Sequence, residues 1–112
     1  MHGIQDPLVS FTFTAIPQRN DILSGWSMGP GTVIAGDSTF TRTRYLSAQG
    51  TVFEFIQHDY ASPITILAGH CYPGSTDPGN VPGQLMPFGC APPDSFDWGA
   101  EAMKFFLAHP RS

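Results

Sequence analysis

The sequence is poor in positive charge and contains no long apolar run. Only five of its 112 residues are Lys or Arg, against nine Asp or Glu, so the formal net charge is −4. Without a basic stripe the chain lacks the electrostatic signature of a nucleic-acid-binding protein. No apolar run approaches the roughly 20 residues that cross a bilayer, so we expect no membrane partner.

Cysteine is also scarce, and both copies lie in one loop-like stretch. Cys71 and Cys90 fit neither a CxxC nor an HxxxH spacing, which argues against a zinc site. A disulfide between them would close a loop of about 20 residues and stabilise the fold by roughly 3 kcal/mol. We predict this disulfide, with two free thiols as the alternative. The first residues, 1–6, do not resemble a signal peptide, so export would require a signal upstream.

Glycine, proline and phenylalanine are abundant. The 12 Gly and 11 Pro residues predict many turns and long loops, above all over residues 69–94. The hydrophobic fraction of 41% is typical of a folded chain with a modest core. With no internal repeat in the sequence, we expect residues 1–112 to belong to a single domain.

Apolar periodicity predicts a few strands. Residues 39–47 alternate, and residues 51–60 form a second strand-like run whose apolar members are Val52, Phe53, Phe55 and Ile56. The short apolar run 64–67 suits a buried strand. Residues 10–14 also alternate and are predicted to be extended, whereas residues 28–38 are typical of a loop.

Two helices are predicted, over residues 17–27 and 95–108. Asp94 or Ser95 would cap the second one at its N-terminus. Helical spacing predicts a buried face on this helix. Its members are Phe96, Ala100, Met103 and Leu107, with Phe106 beside them.

Two short segments combine tight turns with residues that can carry chemistry. In the first, a Gly turn leads to Asp6-Pro7, and in the second Gly69 precedes His70. Active sites of open α/β sheets lie where strands end, so both side chains are candidates. Alternatively, Asp6 is a turn former before proline and His70 a structural histidine bonded to backbone.

Together these segments resemble the esterase family of polyhydroxybutyrate depolymerases, feruloyl esterases and acetylxylan esterases. That family has an H-G-x-x-D-x-x-V segment, a later G-H-x-x-P-G segment, and a final helix rich in Trp and Phe that ends in His-Pro. The matching positions are His2-Gly3, Asp6, Val9, Gly69-His70, Pro73-Gly74 and residues 96–110. The match is loose over residues 15–50, and Ala68 stands where the family often has a second Gly.

The resemblance implies an α/β fold in which this chain is the C-terminal part of an α/β-hydrolase sheet: a few strands, a long Gly/Pro-rich loop and a terminal helix. It implies a secreted or periplasmic serine esterase in which Asp6 is the triad acid and His70 the triad base. The substrate would be a polyester, a feruloyl or acetyl polysaccharide, or a small ester. This chemistry needs no metal or organic cofactor.

The family places the nucleophilic serine upstream of the acid, so we expect it upstream of residue 1 and the isolated chain to be inactive. Gly25-Trp26-Ser27-Met28-Gly29 matches G-x-S-x-G, the pattern of a nucleophile elbow. Its flanks predict neither a preceding buried strand nor a following helix. We therefore interpret Ser27 as a chance match, with a compact hydrolase that uses Ser27 as the alternative.

A function of another class stays open: a small secreted β-rich module that binds carbohydrate or polymer through Trp and Tyr, with His70 incidental. Such a module would fold as a cooperative monomer. An esterase portion would instead expose an apolar sheet edge and be marginally stable or associate. The remaining aromatic and polar candidates are assigned structural positions. Trp26 and Trp98 are expected in the core, and His58 and Asp59 on the surface.

Overall fold

A computed structural model describes residues 1–74, 89–91 and 97–110 of the chain. Four strands form one mixed sheet, and two α-helices accompany it, so the chain has the mixed α/β content that its sequence predicts. The strands are β1 (His2–Gly3), β2 (Thr32–Gly36), β3 (Phe40–Leu46) and β4 (Val52–His58). The helices are α1 (Ile16–Gly25) and α2 (Trp98–Ala108). Neither helix of this described part is long and apolar enough to cross a membrane.

The sheet has the strand order β1-β4-β3-β2. β2, β3 and β4 form an antiparallel meander, whereas β1 runs parallel to β4 with His2 opposite Gln57 and Gly3 opposite His58. Parallel strands end at the same edge of a sheet. The segments that follow β1 and β4 therefore begin side by side.

β3 and β4, the central pair of strands, lie within the two runs that the sequence predicts as strands, residues 39–47 and 51–60. β3 and β4 pair without interruption from Phe40 opposite His58 to Leu46 opposite Val52. The π-helical turn Phe11–Ala15 contacts this pair through Phe11, whose ring lies 6.2 Å from that of Phe55. α1 contacts the same ring through Arg19, whose guanidinium lies 5.5 Å from the ring centre. Among the described residues, the buried apolar residues are Ala15, Phe55, Ile56, Tyr60, Leu67, Cys71, Pro73 and Cys90.

Three predicted segments have a different conformation. Residues 10–14 are not extended, because the Ser10 side chain accepts a hydrogen bond from the Phe13 amide and starts a π-helical turn that continues into α1. Residues 28–38 are not all loop: they contain β2, a strand at the sheet edge whose five residues are all exposed. The run 64–67 is not a strand, because Thr65–Leu67 form a 3₁₀ turn that the extended residue Ile64 precedes.

The terminal helix begins later than predicted and buries a different face. Asp97 is its N-cap and accepts a hydrogen bond from the Ala100 amide, while Asp94, Ser95 and Phe96 lie outside the described residues. The predicted buried face is wrong. Its members Ala100, Met103 and Leu107 are exposed, as is Phe106.

The face of α2 that is partly buried consists of Trp98, Glu101, Ala102 and Phe105. A bridge of charged side chains links this face to the sheet. Arg42 on β3 donates to Glu101 at 2.6 Å and to Glu54 on β4 at 2.7 Å. Arg44 also donates to Glu54, whose side chain is only 6% exposed. A nearly buried carboxylate with two guanidinium partners makes Arg42 the polar link between helix and sheet.

We expect Arg42→Met to lower the free energy of unfolding by about 2 kcal/mol, because it leaves Glu54 with one cation and Glu101 with Lys104 alone. Lys104→Met is the matched control. It removes the exposed Lys104–Glu101 pair and should cost about 0.5 kcal/mol or less. Urea unfolding midpoints measure both effects. Equal losses in the two variants would show that the Arg42 bridge contributes no more than a surface ion pair.

Candidate active site

The structure brings the two candidate residues together at one edge of the sheet. Asp6 follows β1, and His70 follows the 3₁₀ turn that comes after β4. The Nδ1 atom of His70 lies 2.8 Å from Oδ2 of Asp6, across 64 positions of sequence. Asp6 and His70 thus form a hydrogen-bonded acid–histidine pair, hereafter the dyad.

Two glycines allow the dyad loops to meet. Gly69 donates its amide to the Gln5 carbonyl at 3.3 Å. A Cβ atom on Gly3 would lie 2.1 Å from the Gly69 carbonyl oxygen, and one on Gly69 would lie 2.8 Å from the Asp6 amide nitrogen. The two backbones are therefore in direct contact, at a distance that no side chain permits. Beside them Ala68 has φ +39°, a backbone conformation that glycine adopts more readily.

The surroundings of Asp6 hold its carboxylate in the charged form. Its side chain is only 7% exposed, and burial by itself would raise its pKa. Hydrogen bonds from the Val9 amide, His70 and the Leu8 amide outweigh burial, so the pKa of Asp6 is lowered. The two amides bind Oδ1 at 2.9 Å each, which leaves Oδ2 directed at the histidine.

His70 is more open than its partner, with 36% of its side chain exposed. Because Asp6 engages Nδ1, the ring nitrogen available for proton exchange is Nε2. The dyad borders a cleft of about 190 Å³. Its other lining residues are Met1, His2, Gly3, Val9, His58, Cys71 and Tyr72. A fixed imidazole beside a cleft can take a proton from a bound reactant and return it.

A disulfide anchors the chain directly after the histidine. Cys71 and Cys90 are bonded, as predicted, and the Cys90 amide donates to the Tyr72 carbonyl at 3.0 Å. The cross-link and this hydrogen bond restrain the loop that carries His70.

The sequence predicts a surface position for His58, and this prediction is wrong. Its side chain is 1% exposed and lies in the wall of the cleft, where burial first, and then the charge of His2, lowers its pKa to about 4. The signal was its register: His58 shares a strand face with Ile56, which is also buried. Asp59 is exposed, as predicted, and accepts a hydrogen bond from Gln5.

The elements on either side of Ser27 are not those of a nucleophile elbow, which lies between a strand and a helix. It follows α1 rather than a strand, and β2 rather than a helix comes next. Its φ of +48° belongs to a turn that ends α1, in which the Met28 amide donates to the Leu23 carbonyl. Ser27 does not line the cleft that holds the dyad. Trp26 beside it is 61% exposed, so its expected core position is wrong.

Comparison with known proteins adds no further assignment. No protein-family model matches the chain, and searches of curated proteins and of solved structures return no significant match. Within the described part of the chain, no group of three or more His, Cys, Asp or Glu side chains is placed to hold a metal ion. The function must therefore be inferred from the geometry of the dyad and its surroundings.

We expect Gly3→Ala to lower the free energy of unfolding by about 3 kcal/mol, because the new methyl group overlaps the Gly69 carbonyl. It should also remove the downfield proton resonance of the His70 Nδ1–H, which reports the hydrogen bond to Asp6. Gly25→Ala is the control, since a Cβ there meets nothing within 4 Å. A Gly3→Ala protein that keeps this resonance would contradict the proposed close approach.

Asp6→Asn should destabilise the protein at pH 6 by about 2 kcal/mol, because an amide replaces the charged acceptor of three hydrogen bonds. The lowered pKa of Asp6 fixes the sign of the pH dependence. Its stabilisation is complete above the unfolded pKa of about 3.9 and is lost as pH falls through the folded pKa. Urea unfolding at pH 6 and pH 3 should show the gap between wild type and variant shrinking in acid. A constant gap would mean that the charge of Asp6 contributes nothing.

Proposed function

We propose that this chain is the acid–histidine portion of a secreted or periplasmic serine carboxylic ester hydrolase of the α/β type. The observation that carries the proposal is the 2.8 Å contact between Asp6 Oδ2 and His70 Nδ1 at the edge of a sheet. The motif resemblance named these two residues, and the fold joins them although they lie far apart in sequence. A turn former and an incidental histidine have no reason to share this hydrogen bond.

In the proposed reaction the Asp6 carboxylate accepts a hydrogen bond from the Nδ1–H group of His70, so that the lone pair of the neutral ring is on Nε2. His70 takes the proton of a serine hydroxyl as the serine oxygen bonds to the ester carbonyl carbon. The tetrahedral intermediate collapses, the carbon–alkoxy bond breaks, and His70 gives its proton to the departing alcohol. Water then repeats the sequence on the acyl-serine and releases the acid. Neither a metal ion nor an organic cofactor takes part.

Two features of the fold support an upstream source for the serine. β1 is a two-residue strand at the sheet edge and is parallel to its neighbour, as in an open α/β sheet that continues beyond it. Apolar side chains next to it face solvent: Ile4, Leu8 and Phe13 are 43, 61 and 85% exposed. Such a surface suits coverage by more of the same domain.

The disulfide supports export, because disulfides persist in oxidising compartments. The ester itself is proposed only as a class: a polyester, a feruloyl or acetyl polysaccharide, or a small ester. The alternative function, a carbohydrate- or polymer-binding module, is favoured by the exposure of Trp26 and of Tyr72, which is 55% exposed at the cleft. It offers no role for the dyad, so we rank it second.

A fluorophosphonate probe, which reacts with activated serines, tests the proposal. We expect no adduct on residues 1–112 and a single adduct on a form of the protein extended upstream of residue 1. His70→Ala should reduce that labelling rate at least about a thousandfold, since the serine loses its base. His109→Ala is the matched control, because His109 follows α2 and does not line the cleft.

Mass spectrometry then locates the adduct. Labelling of Ser27 in residues 1–112 would replace this proposal with a compact hydrolase. Failure of the extended form to label, with the dyad intact by NMR, would leave the binding module as the better explanation.

A further inference from the structure

The turn that carries Asp6 is attached to β4 by the backbone of its first residues. The Asp6 amide donates to the Gly3 carbonyl at 3.3 Å and closes the turn. The Ile4 amide donates to the His58 carbonyl at 2.8 Å and so continues the pairing of β1 with β4. Because a hydrogen bond tolerates a range of angles, this attachment by itself allows the turn to rotate against β4.

Gln5, at the apex of this turn, makes a contact on each side of it. Its Nε2 atom donates to Oδ1 of Asp59 at 2.5 Å. The Asp59 amide in turn donates to the carbonyl of Thr39, the residue before β3, at 2.8 Å. On the other side, the Gln5 carbonyl accepts from the Gly69 amide at 3.3 Å. Gln5 therefore connects the end of the sheet to the loop that carries His70.

We infer that Gln5 is a positioning residue of the dyad. Its bond to Asp59 gives the turn a second point of attachment besides the Ile4 amide, and two separate points prevent rotation. The fixed orientation places the Gln5 carbonyl against the Gly69 amide, and the next residue, the acid of the dyad, beside its histidine. This inference deepens the proposed function and rests on it for its catalytic consequence, since a displacement of about 1 Å can impair a catalytic group.

The alternative is a surface contact without consequence for the dyad. The side chains of Gln5 and Asp59 are both exposed, and hydrogen bonds between exposed groups compete with water. In that case the bond can be broken while the contact between Asp6 and His70 stays as it is. An experiment therefore has to break this one bond and observe the dyad.

An exchange of donor and acceptor does so on residues 1–112. Gln5→Glu places two carboxylates against each other and breaks the bond, and Gln5→Ala removes the donor without adding charge. Combining Gln5→Glu with Asp59→Asn restores the bond in the reverse direction, because the new amide donates to the new carboxylate. Gln49→Glu is the matched control, since Gln49 is exposed in the turn between β3 and β4, at the opposite end of these strands.

Two NMR measurements report the outcome. The downfield resonance of the His70 Nδ1–H reports the dyad, and hydrogen exchange of the Gly69 amide reports the contact with the Gln5 carbonyl. We expect Gln5→Glu and Gln5→Ala to remove the resonance and to raise the Gly69 exchange rate about tenfold, while amides of the β3–β4 ladder exchange as in wild type. The double variant should recover both properties, and the control should keep them.

Two results would overturn the inference. One is a resonance and a slow Gly69 exchange that persist in both single variants of Gln5, which would make its bond to Asp59 a surface contact only. The other is a loss that the double variant does not restore, which would show that the bond itself is not the cause. Neither measurement needs a serine nucleophile, so this inference can fail while the fluorophosphonate test succeeds, and the reverse.

Discussion

The site depends on one close contact, between the turn after β1 and the loop that carries His70. The backbones meet where Gly3 faces Gly69, and the Gly69 amide donates to the Gln5 carbonyl. Asp6 lies next to this contact on one side and His70 on the other. Because the contact involves backbone atoms, which move less freely than long side chains, it sets the Asp6–His70 distance more firmly than side-chain packing does. The disulfide at Cys71 restrains the same loop from its other end.

Gly3 and Gly69 stabilise one part of the fold, and the ion pairs of Arg42 stabilise another. The glycines bring the dyad loops together at the end of β1 and β4, while Arg42 and Glu54 hold α2 against β3 and β4. Much of the apolar surface of α2 is not used in this docking, since Met103 and Leu107 are 59 and 75% exposed. Polar contacts therefore contribute more to the position of this helix than its composition alone would predict.

The sequence could predict features whose signal is local. Alternation predicted β3, an apolar strand-like run predicted β4, and the Pro-led segment predicted α1. Two motif matches identified Asp6 and His70, which the fold brings together. The prediction failed where neighbours in space decide the outcome. β2 forms because the exposed edge of β3 is available for pairing, although Gly and Pro flank the segment. The register of His58 with Ile56 hints at burial, but its position beside β1 and in the cleft that His70 also lines depends on segments far away in sequence.

The face of α2 illustrates the same limit. Helical spacing identified an apolar stripe, but the ion pairs of Arg42 turned a neighbouring stripe toward the sheet. Periodicity reports which residues share a face. It does not report which face of the helix contacts the sheet when a charged side chain there, such as Arg42, forms an ion pair with a helix residue.

The register shift in β2 makes the two edges of the sheet differ in how well a further strand could pair with them. Between Val33 and Ala35 the pairing with β3 slips by one position, and such irregularities twist an edge strand so that a further strand pairs with it poorly. Val33 and Ile34 would otherwise form an apolar edge open to aggregation. The opposite edge, at β1, has no such irregularity among the described residues. The edge at β1, which leads into the Asp6 turn, is therefore the edge of the described sheet that is better suited to pairing with a further strand.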